Sequence, residues 1–330
     1  MRRPFLVFLL ALCAFLFAAA GVEAAGPPAY VALGDSLATG VGASDRATLG
    51  YVGQVHRGLL ESSPYQERGL ELLNLGASGA TSTDLLKPGG QVEQALAEIQ
   101  RRAQDADTGN KVEIITVDIG GDDLLALLKP GSPCFSNPLG SACVGQAFPE
   151  ALSRFEANLR QALRALRQAT PEAHLVVITL YNSFAGQGSP LKEAGDIAVS
   201  QFNPLVAQVA AEADIQARVA DVRPLFQQRP PSEVIAPDLI HPTDAGHALI
   251  ATAVLAALKE SGALQPQEAP EEPAAALPAL GAADETGEGA SGGPDLLLVL
   301  AIALPAGALG LAAIGGAYRW ALVSRRRGRP

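Results

Sequence analysis

The sequence is poor in the residues that bind metal ions and nucleic acids. Its 330 residues include three cysteines and four histidines, and these form no cluster with the spacing of a metal site. Lysine and arginine together number 24 against 34 acidic residues, which gives a formal net charge of −10. Several of the basic residues lie at the two ends, so the central part of the chain is more acidic still. We therefore expect no metal and no nucleic-acid partner.

A nucleotide-binding loop is also missing. The glycine pair Gly120 and Gly121 follows a predicted strand, as the glycines of such a loop would. It lacks the further glycine spacing and the downstream acidic residue of a dinucleotide-binding loop. The sequence therefore predicts no cofactor.

The first 24 residues have the parts of a secretory signal peptide. A basic start is followed by an apolar run from Phe5 to Ala20 and by small residues around Ala24. Because such a segment is removed during export, we predict a signal peptide at residues 1–24 and a mature chain outside the cytoplasm.

The other end predicts a membrane anchor. The run from Leu296 to Tyr318 is 23 residues long and carries no charge. At about 1.5 Å per residue, a helix of this length crosses the ~30 Å of a bilayer's hydrocarbon core. Arginines follow it, and a positive flank stays in the cytoplasm. We expect a single transmembrane helix at residues 295–318 and a basic cytoplasmic tail at residues 319–330.

Residues 263–294 predict a flexible linker, because they are rich in Pro, Ala, Glu and Gly and show no apolar period. Within them, Leu277–Gly281 (Leu-Pro-Ala-Leu-Gly) together with the apolar run and the basic tail resembles a Gram-positive cell-wall sorting signal. Leu280 replaces the threonine of that signal, and fourteen residues separate Gly281 from Leu296. Covalent attachment to the wall is thus the alternative to a retained membrane helix.

Residues 25–262 alternate strand-like and helix-like segments. The predicted strands are short apolar runs at Tyr30–Leu33, Leu70–Leu75, Val112–Ile119, His174–Thr179 and Ala217–Val222. The predicted helices are Gly50–Ser62, Gln91–Asp105, Pro149–Ala169, Ala194–Ala213 and Thr243–Lys259. Strands separated by helices indicate an α/β domain with a parallel five-stranded sheet and helices on both faces. In such sheets, functional groups gather beyond the carboxyl ends of the strands.

Three polar motifs follow predicted strands, and a fourth precedes the last predicted helix. The first, Gly34–Leu37 (Gly-Asp-Ser-Leu), places Ser36 on a tight turn directly after a strand, where its hydroxyl would be exposed. The other three motifs are Asn74–Thr81, Gly120–Asp123 and Asp238–Pro242. In this order and spacing, the four resemble the motifs of the SGNH hydrolases, also called GDSL lipases and esterases, over about residues 29–260.

This resemblance implies a flavodoxin-like three-layer α/β/α sandwich that cleaves esters through a covalent serine intermediate. It implies Ser36 as the nucleophile and His241 as the base that takes the serine proton. Asp238 would orient the imidazole and stabilise its charged form. Asp35 is the carboxylate nearest to Ser36 in sequence, but neighbouring side chains on an extended turn diverge, so we expect it to hold the turn.

The resemblance also implies an oxyanion hole made by the backbone N–H groups of Ser36 and Gly79 and by the side chain at position 122. The family has an asparagine there, whereas this chain has Asp122. An ionised Asp122 would repel the oxyanion. It therefore either stays neutral through burial and donates a hydrogen bond, or is ionised and faces away from Ser36.

Two cysteines remain once Cys13 is removed with the signal peptide. Cys134 and Cys143 have eight residues between them in a stretch rich in Pro, Gly and Ser. In an oxidising compartment they are expected to form a local disulfide, with free thiols as the alternative. Residues 130–148 and 181–194 are the expected walls of a substrate pocket, because they are long irregular segments after strand ends.

The function predicted from these residues is that of an exported, membrane-anchored serine esterase or lipase acting on small-molecule, lipid or sugar esters. One alternative is an O-acyl esterase or acyltransferase acting on carbohydrates of the cell envelope. Another is a binding module whose catalysis is weakened at Asp122. The other histidines, His56, His174 and His247, have no partner motif and are interpreted as structural.

Overall fold

The computed structural model describes residues 26–265, apart from residues 105, 106, 108 and 189. At its centre is a sheet of five strands, β1 (Ala29–Gly34), β2 (Glu71–Asn74), β3 (Val112–Asp118), β4 (His174–Ile178) and β5 (Arg218–Ala220). They lie in the order β2-β1-β3-β4-β5, and every neighbouring pair is parallel. This is the flavodoxin-like strand order, so the predicted parallel five-stranded sheet is confirmed.

Helices connect the strands. They are α1 (Tyr51–Leu60), α2 (Ser63–Gln66), α3 (Ser82–Leu86), α4 (Gln91–Ala103), α5 (Gly121–Leu125), α6 (Phe148–Ala169), α7 (Leu191–Ala210), α8 (Arg223–Gln227), α9 (Pro231–Val234) and α10 (Asp244–Glu260). A 3₁₀ turn at Ala126–Leu128 extends α5, and a π turn at Cys143–Ala147 precedes α6.

The five long helices lie close to their predicted positions. The largest difference is in α7, which begins at Leu191 rather than Ala194, since Pro190 precedes its first turn and proline is tolerated there. The short helices α2, α3, α5, α8 and α9 were not predicted. They are too short to show an apolar period of 3.6 residues.

Both faces of the sheet are covered by helices, which explains the nearly continuous apolar strands. In β1, Val31 and Leu33 pack in a core with α4, α6 and α7. Tyr30 and Ala32 point the other way, into a second core with α1 and α10. Strands buried on both faces lose the alternation of apolar and polar residues. The arrangement is therefore three layers, with helices on each side of the sheet.

The sheet brings three of the four polar motifs together. Strand β1 lies between β2 and β3, so the motifs Gly34–Leu37, Asn74–Thr81 and Gly120–Asp123 all leave one edge of the sheet side by side. The fourth motif, Asp238–Pro242, enters from the segment before α10, where the Thr243 hydroxyl caps the helix by accepting the Gly246 N–H.

Asp118, the last residue of β3, is buried and anchors the turn that follows β1. Its Oδ1 accepts the Asp35 N–H at 3.0 Å, and its Oδ2 accepts a hydrogen bond from the Tyr51 hydroxyl. A Cβ at Gly34 would overlap the Asp118 carboxyl. Only glycine therefore lets the ends of β1 and β3 approach this closely.

Helices α1 and α10 complete this buried network. His247 of α10 accepts the Tyr51 N–H at Nδ1, at 3.2 Å, and its Nε2 is 3.0 Å from the Val41 carbonyl oxygen. Since Nδ1 accepts, the ring proton is assigned to Nε2, which donates to Val41. Burial lowers the pKa of His247, which favours this neutral form.

The Asp35 and Asp118 carboxyls are both removed from water. Burial raises the pKa of Asp118 well above its usual range, and the neighbouring Asp35 carboxyl raises it further. Burial also raises the pKa of Asp35. The pair therefore keeps a proton at a pH at which an exposed carboxyl is ionised.

The predicted signal peptide at residues 1–24, the transmembrane helix at residues 295–318 and the tail at residues 319–330 lie outside the described residues, as does the linker beyond residue 265. Within the part that the structure describes, no helix combines the length and the apolar character needed to cross a bilayer.

We expect Tyr51→Phe to lower the free energy of unfolding by about 1–3 kcal/mol, because it removes the donor to a buried oxygen of Asp118. Tyr30→Phe is a matched control: its hydroxyl is equally buried but is paired, at 2.9 Å, with the neutral Thr116 hydroxyl. The control substitution should lower the free energy of unfolding by about 1 kcal/mol. Urea denaturation measures both, and equal losses would contradict a special role for the Asp118 bond.

Candidate active site

The turn that carries Ser36 is held by hydrogen bonds from several elements. The Asp35 carboxyl accepts the Leu37 N–H at 3.0 Å, so this side chain holds the turn, as expected from the sequence. Gln91, at the start of α4, donates to the Gly34 carbonyl oxygen at 2.8 Å and accepts the Gly34 N–H at 2.7 Å. The Val41 N–H closes the turn on the Ser36 carbonyl oxygen at 2.9 Å. The backbone on both sides of Ser36 is thus fixed.

The structure brings Ser36, His241 and Asp238 into one hydrogen-bonded chain. The Ser36 Oγ lies 2.9 Å from His241 Nε2, and His241 Nδ1 lies 2.6 Å from Asp238 Oδ2. The order is serine, imidazole, carboxylate, with each ring nitrogen facing one partner. This is the arrangement in which an imidazole can take a serine proton while a carboxylate orients it.

The loop that carries Asp238 and His241 is stiffened by its own hydrogen bonds. Asp238 Oδ1 accepts the N–H groups of Ile240 and His241, both at 3.0 Å. Partial burial raises the pKa of the Asp238 carboxyl, but these bonds and the imidazole outweigh it and bring the pKa below its ordinary value. Tyr181 donates to the Ile240 carbonyl oxygen at 2.8 Å. The loop is therefore fixed to the end of β4, and the carboxylate is ionised.

The segment after β2 packs on the nucleophile turn. Asn74 donates to the Ala38 carbonyl oxygen at 2.7 Å, and the Ser78 and Thr39 hydroxyls are 2.7 Å apart. Gly79 has a φ of 80°, a left-handed conformation that glycine adopts without strain. These contacts explain the asparagine and the glycine of the second motif.

Two backbone N–H groups near Ser36 are available to a ligand. Across the described part of the chain, the N–H groups of Ser36 and Gly79 donate no hydrogen bond to another residue. Ser36 is half-buried and Gly79 is exposed. An oxyanion hole requires backbone N–H groups that are not already bonded within the protein, and both amides meet this condition.

Asp122 lies in the first turn of α5 and lines the same cavity as Ser36 and His241. Burial raises the pKa of the Asp122 carboxyl; the positive charge of Lys129 acts in the opposite direction, and the nearby Asp123 raises it again. No residue that the structure describes donates a hydrogen bond to this carboxyl. The alternative in which backbone amides hold an ionised Asp122 away from Ser36 has no such bond to support it.

Asp123, in contrast, forms hydrogen bonds within the fold. It is buried, and its two oxygens accept the Ser82 N–H and the Ser82 hydroxyl, both at 2.7 Å. This contact joins the third motif to the start of α3. The side chains of Asp122 and Asp123 therefore point to different partners, although they are adjacent in sequence.

The predicted disulfide between Cys134 and Cys143 is present, and both cysteines are buried. It closes the irregular segment between α5 and α6. Beside Ser36 lies a cavity of about 140 Å³, whose wall includes this segment and residues of 181–194. Both predicted pocket walls thus line the cavity.

Three residues that support the site were not identified from the sequence. Asp118 is one of three polar residues in β3, and Tyr51 opens an amphipathic helix, so neither carried a distinct signal in the sequence. Gln91 opens a helix and looks like an ordinary polar residue. His247 was interpreted as structural, and it holds Tyr51 and Val41 as described above.

Comparisons with known proteins agree with this geometry. The GDSL-like lipase/acylhydrolase family model matches residues 32–249. The chain is 29% identical to an uncharacterised protein, YpmR, of Bacillus subtilis strain 168 over 70% of this chain and 81% of that protein. The crystal structure of the lipase Lip_vut3 from a goat rumen metagenome is similar, with 25% identity, a TM-score of 0.53 and coverage of 70% of this chain and 97% of that one.

A crystal structure of an extracellular lipase from Streptomyces rimosus shares the fold, with 21% identity, a TM-score of 0.50 and coverage of 70% of this chain and 99% of that one. The family match covers the turn that carries Ser36, the amides of Ser36 and Gly79 and the loop that carries His241 in one span of the chain. The protein is a serine hydrolase that acts on ester bonds, and it belongs to the GDSL-like lipase/acylhydrolase family.

Proposed function

We propose that the protein is an exported, membrane-anchored carboxylic esterase whose catalytic residues are Ser36, His241 and Asp238. The observation that carries this proposal is the hydrogen-bonded chain from Ser36 Oγ through both nitrogens of His241 to Asp238. A protein that only binds its ligand does not require a serine, an imidazole and a carboxylate that are hydrogen-bonded in this order.

In the proposed reaction, His241 takes the Ser36 proton as Oγ attacks the ester carbonyl carbon. Asp238 keeps the imidazole in the tautomer whose Nε2 can accept that proton, and then stabilises the charged ring. The N–H groups of Ser36 and Gly79 bind the oxyanion. His241 next gives the proton to the leaving alcohol, and a water molecule repeats the sequence to release the acid.

Asp122 acts in this proposal as a neutral third donor to the oxyanion. Burial has the largest effect and raises the pKa of the Asp122 carboxyl, against the lowering by Lys129 and His241, and the side chain lines the cavity with Ser36. A protonated carboxyl can donate a hydrogen bond where the family has an asparagine. Ionisation would place a negative charge beside the developing oxyanion and oppose the reaction.

Export and anchoring are supported by the two apolar ends of the sequence and by the disulfide. Bonds such as that between Cys134 and Cys143 persist in oxidising compartments and are rare in the cytosol. The linker at residues 263–294 would then hold the enzyme outside the membrane. The 25% identity with a protein described as a lipase favours an ester with an apolar part as the substrate.

We expect Ser36→Ala to reduce kcat for a nitrophenyl ester by about 10⁴–10⁶-fold, as loss of the nucleophile does in other serine hydrolases. A fluorophosphonate probe should label the wild-type protein and not this variant, while circular dichroism stays unchanged. Ser200→Ala is the control, because Ser200 is exposed on α7 and bonds only within its own helix. Undiminished turnover in Ser36→Ala would show that Ser36 is not the nucleophile.

We expect the wild-type kcat/KM to fall as the pH rises through the pKa of Asp122, because the carboxyl loses its donor proton and becomes negative. Asp122→Asn cannot ionise, so it should keep or raise the rate and abolish this alkaline loss. Both proteins should lose activity at low pH, where His241 is protonated and can no longer accept the Ser36 proton. Measuring kcat/KM against pH for both proteins tests this. An alkaline limb unchanged by Asp122→Asn would contradict the neutral donor.

We expect the full-length protein, expressed in a Gram-positive host, to sediment with membranes and to be released by detergent. Removing residues 295–330 should release an active enzyme into the medium, because the apolar run that holds it in the bilayer is then absent. A protein that is freed by wall digestion and not by detergent would instead indicate the wall-attachment alternative.

A further inference from the structure

The structure points to a substrate class: we propose that the cavity beside Ser36 binds the acyl chain of the ester and selects chains of about four to eight carbons. This inference rests on the proposed function, because it takes Ser36 as the atom that the acyl group is transferred to. Four observations carry it: the lining of the cavity, its volume, the exposure of the histidine loop beside it and the way its wall is built.

The lining is mostly apolar: its polar members are Ser36, Asp122, His241, Asp35, Tyr181, Asn182 and Ser183. Most of the wall comes from aliphatic side chains, among them Leu124, Leu128, Val144, Leu191 and Ile197. A hydrocarbon chain in contact with them would be removed from water. The favourable free energy of this transfer is proportional to the apolar area that is buried. A sugar in the same place would have to give up its hydrogen bonds to water.

Two of the polar side chains in the wall, Asn182 and Tyr181, do not offer replacements for those bonds. Asn182 donates to the Lys192 carbonyl oxygen and to Asp196, and it accepts the Phe184 N–H. Tyr181 donates to the Ile240 carbonyl oxygen. Both side chains already form hydrogen bonds within the protein. They therefore maintain the shape of the wall and contribute little to binding the hydroxyl groups of a sugar.

The cavity wall next to Ser36 and Asp122 includes Leu124 of α5 and Leu128 of the 3₁₀ turn. The loop with His241 contributes Ile240 and His241 to the wall, whereas Asp238 and Leu239 of the same loop lie outside it and are both more than two-fifths exposed. Because His241 protonates the leaving oxygen, the alcohol lies on this open side, and the acyl chain lies in the cavity.

The volume limits the length of that chain. The cavity measures about 140 Å³, close to the ~150 Å³ of an apolar protein cavity that holds one benzene molecule. A six-carbon chain is of this size. An acetyl group would leave most of the space unfilled, and a long-chain fatty acyl group would extend beyond it.

The far wall is fixed by a covalent bond. Cys134 and Cys143 both line the cavity, and the disulfide between them closes the segment that covers it. Both cysteines are buried, and Phe148, the first residue of α6, belongs to the core and also lines the cavity. A wall held by a disulfide keeps the cavity volume constant, and a pocket that selects acyl chains by length requires a constant volume.

A series of nitrophenyl esters from acetate to palmitate tests the proposal on the exported enzyme. We expect kcat/KM to rise about fourfold for each added methylene while the chain fills the cavity. The rise should stop near eight carbons. No gain between two and six carbons, or a steady rise beyond ten, would overturn the inference.

Ala198→Leu should reduce the cavity, because Ala198 lines it from α7 and is only partly exposed. The preferred chain should become shorter by about two carbons, with the largest loss of kcat/KM for the longest chains. Ala207→Leu is the matched control, since Ala207 is an exposed residue of the same helix; its chain-length profile should equal that of the wild type. The same profile in both variants would place the acyl chain elsewhere.

Failure of this inference is distinguishable from failure of the proposed function. If Ser36 is the nucleophile but the cavity does not bind the acyl chain, acetate is hydrolysed in a Ser36-dependent reaction and the profile is flat. If Ser36 is not the nucleophile, Ser36→Ala retains turnover at every chain length. If Ala198→Leu does not fold, the wild-type profile alone still decides the chain-length proposal.

Discussion

The position of Ser36 depends on one buried carboxyl group, that of Asp118. It accepts the Asp35 N–H on one oxygen and the Tyr51 hydroxyl on the other, and it lies so close to Gly34 that no larger residue fits there. Burial in a low-dielectric interior makes each of these bonds costly to break. The strand end, the nucleophile turn and helix α1 are therefore fixed to one another before any substrate binds, which is the preorganisation that an oxyanion hole and a hydrogen-bonded serine require.

Around this fixed centre, the site separates the two halves of an ester. The cavity along α5 and the disulfide segment is mostly apolar, whereas Asp238, on the loop with His241, is exposed to solvent. Such a division suits hydrolysis: the acyl group is held in a dry space while the alcohol leaves and water enters at the histidine. It also explains why the polar residues of the wall, Asn182 and Tyr181, are bonded to the protein itself.

Asp122 is the place where this chain departs from its family's usual chemistry, and the fold accommodates it. Burial at this position raises the pKa of the Asp122 carboxyl, and the adjacent Asp123 is held apart by Ser82. In the neutral form that we propose, the acid offers one O–H donor where an asparagine offers an NH₂ group, and it adds a dependence on pH.

The sequence by itself determined the strand and helix alternation, and with it the parallel sheet, because apolar periodicity and strand-end glycines are local signals. It also identified Ser36, Asp238, His241 and the pair Cys134 and Cys143 through motif and spacing. The tertiary structure alone decided which polar residues support them: Asp118, Tyr51 and Gln91 are far apart in the chain and meet at Gly34 and Asp35 only when β1, β3 and two helices pack together. The shape of the cavity could not be predicted from the sequence either. The cavity arises where α5, α7 and the disulfide segment face one another, and no local sequence pattern encodes the volume between them.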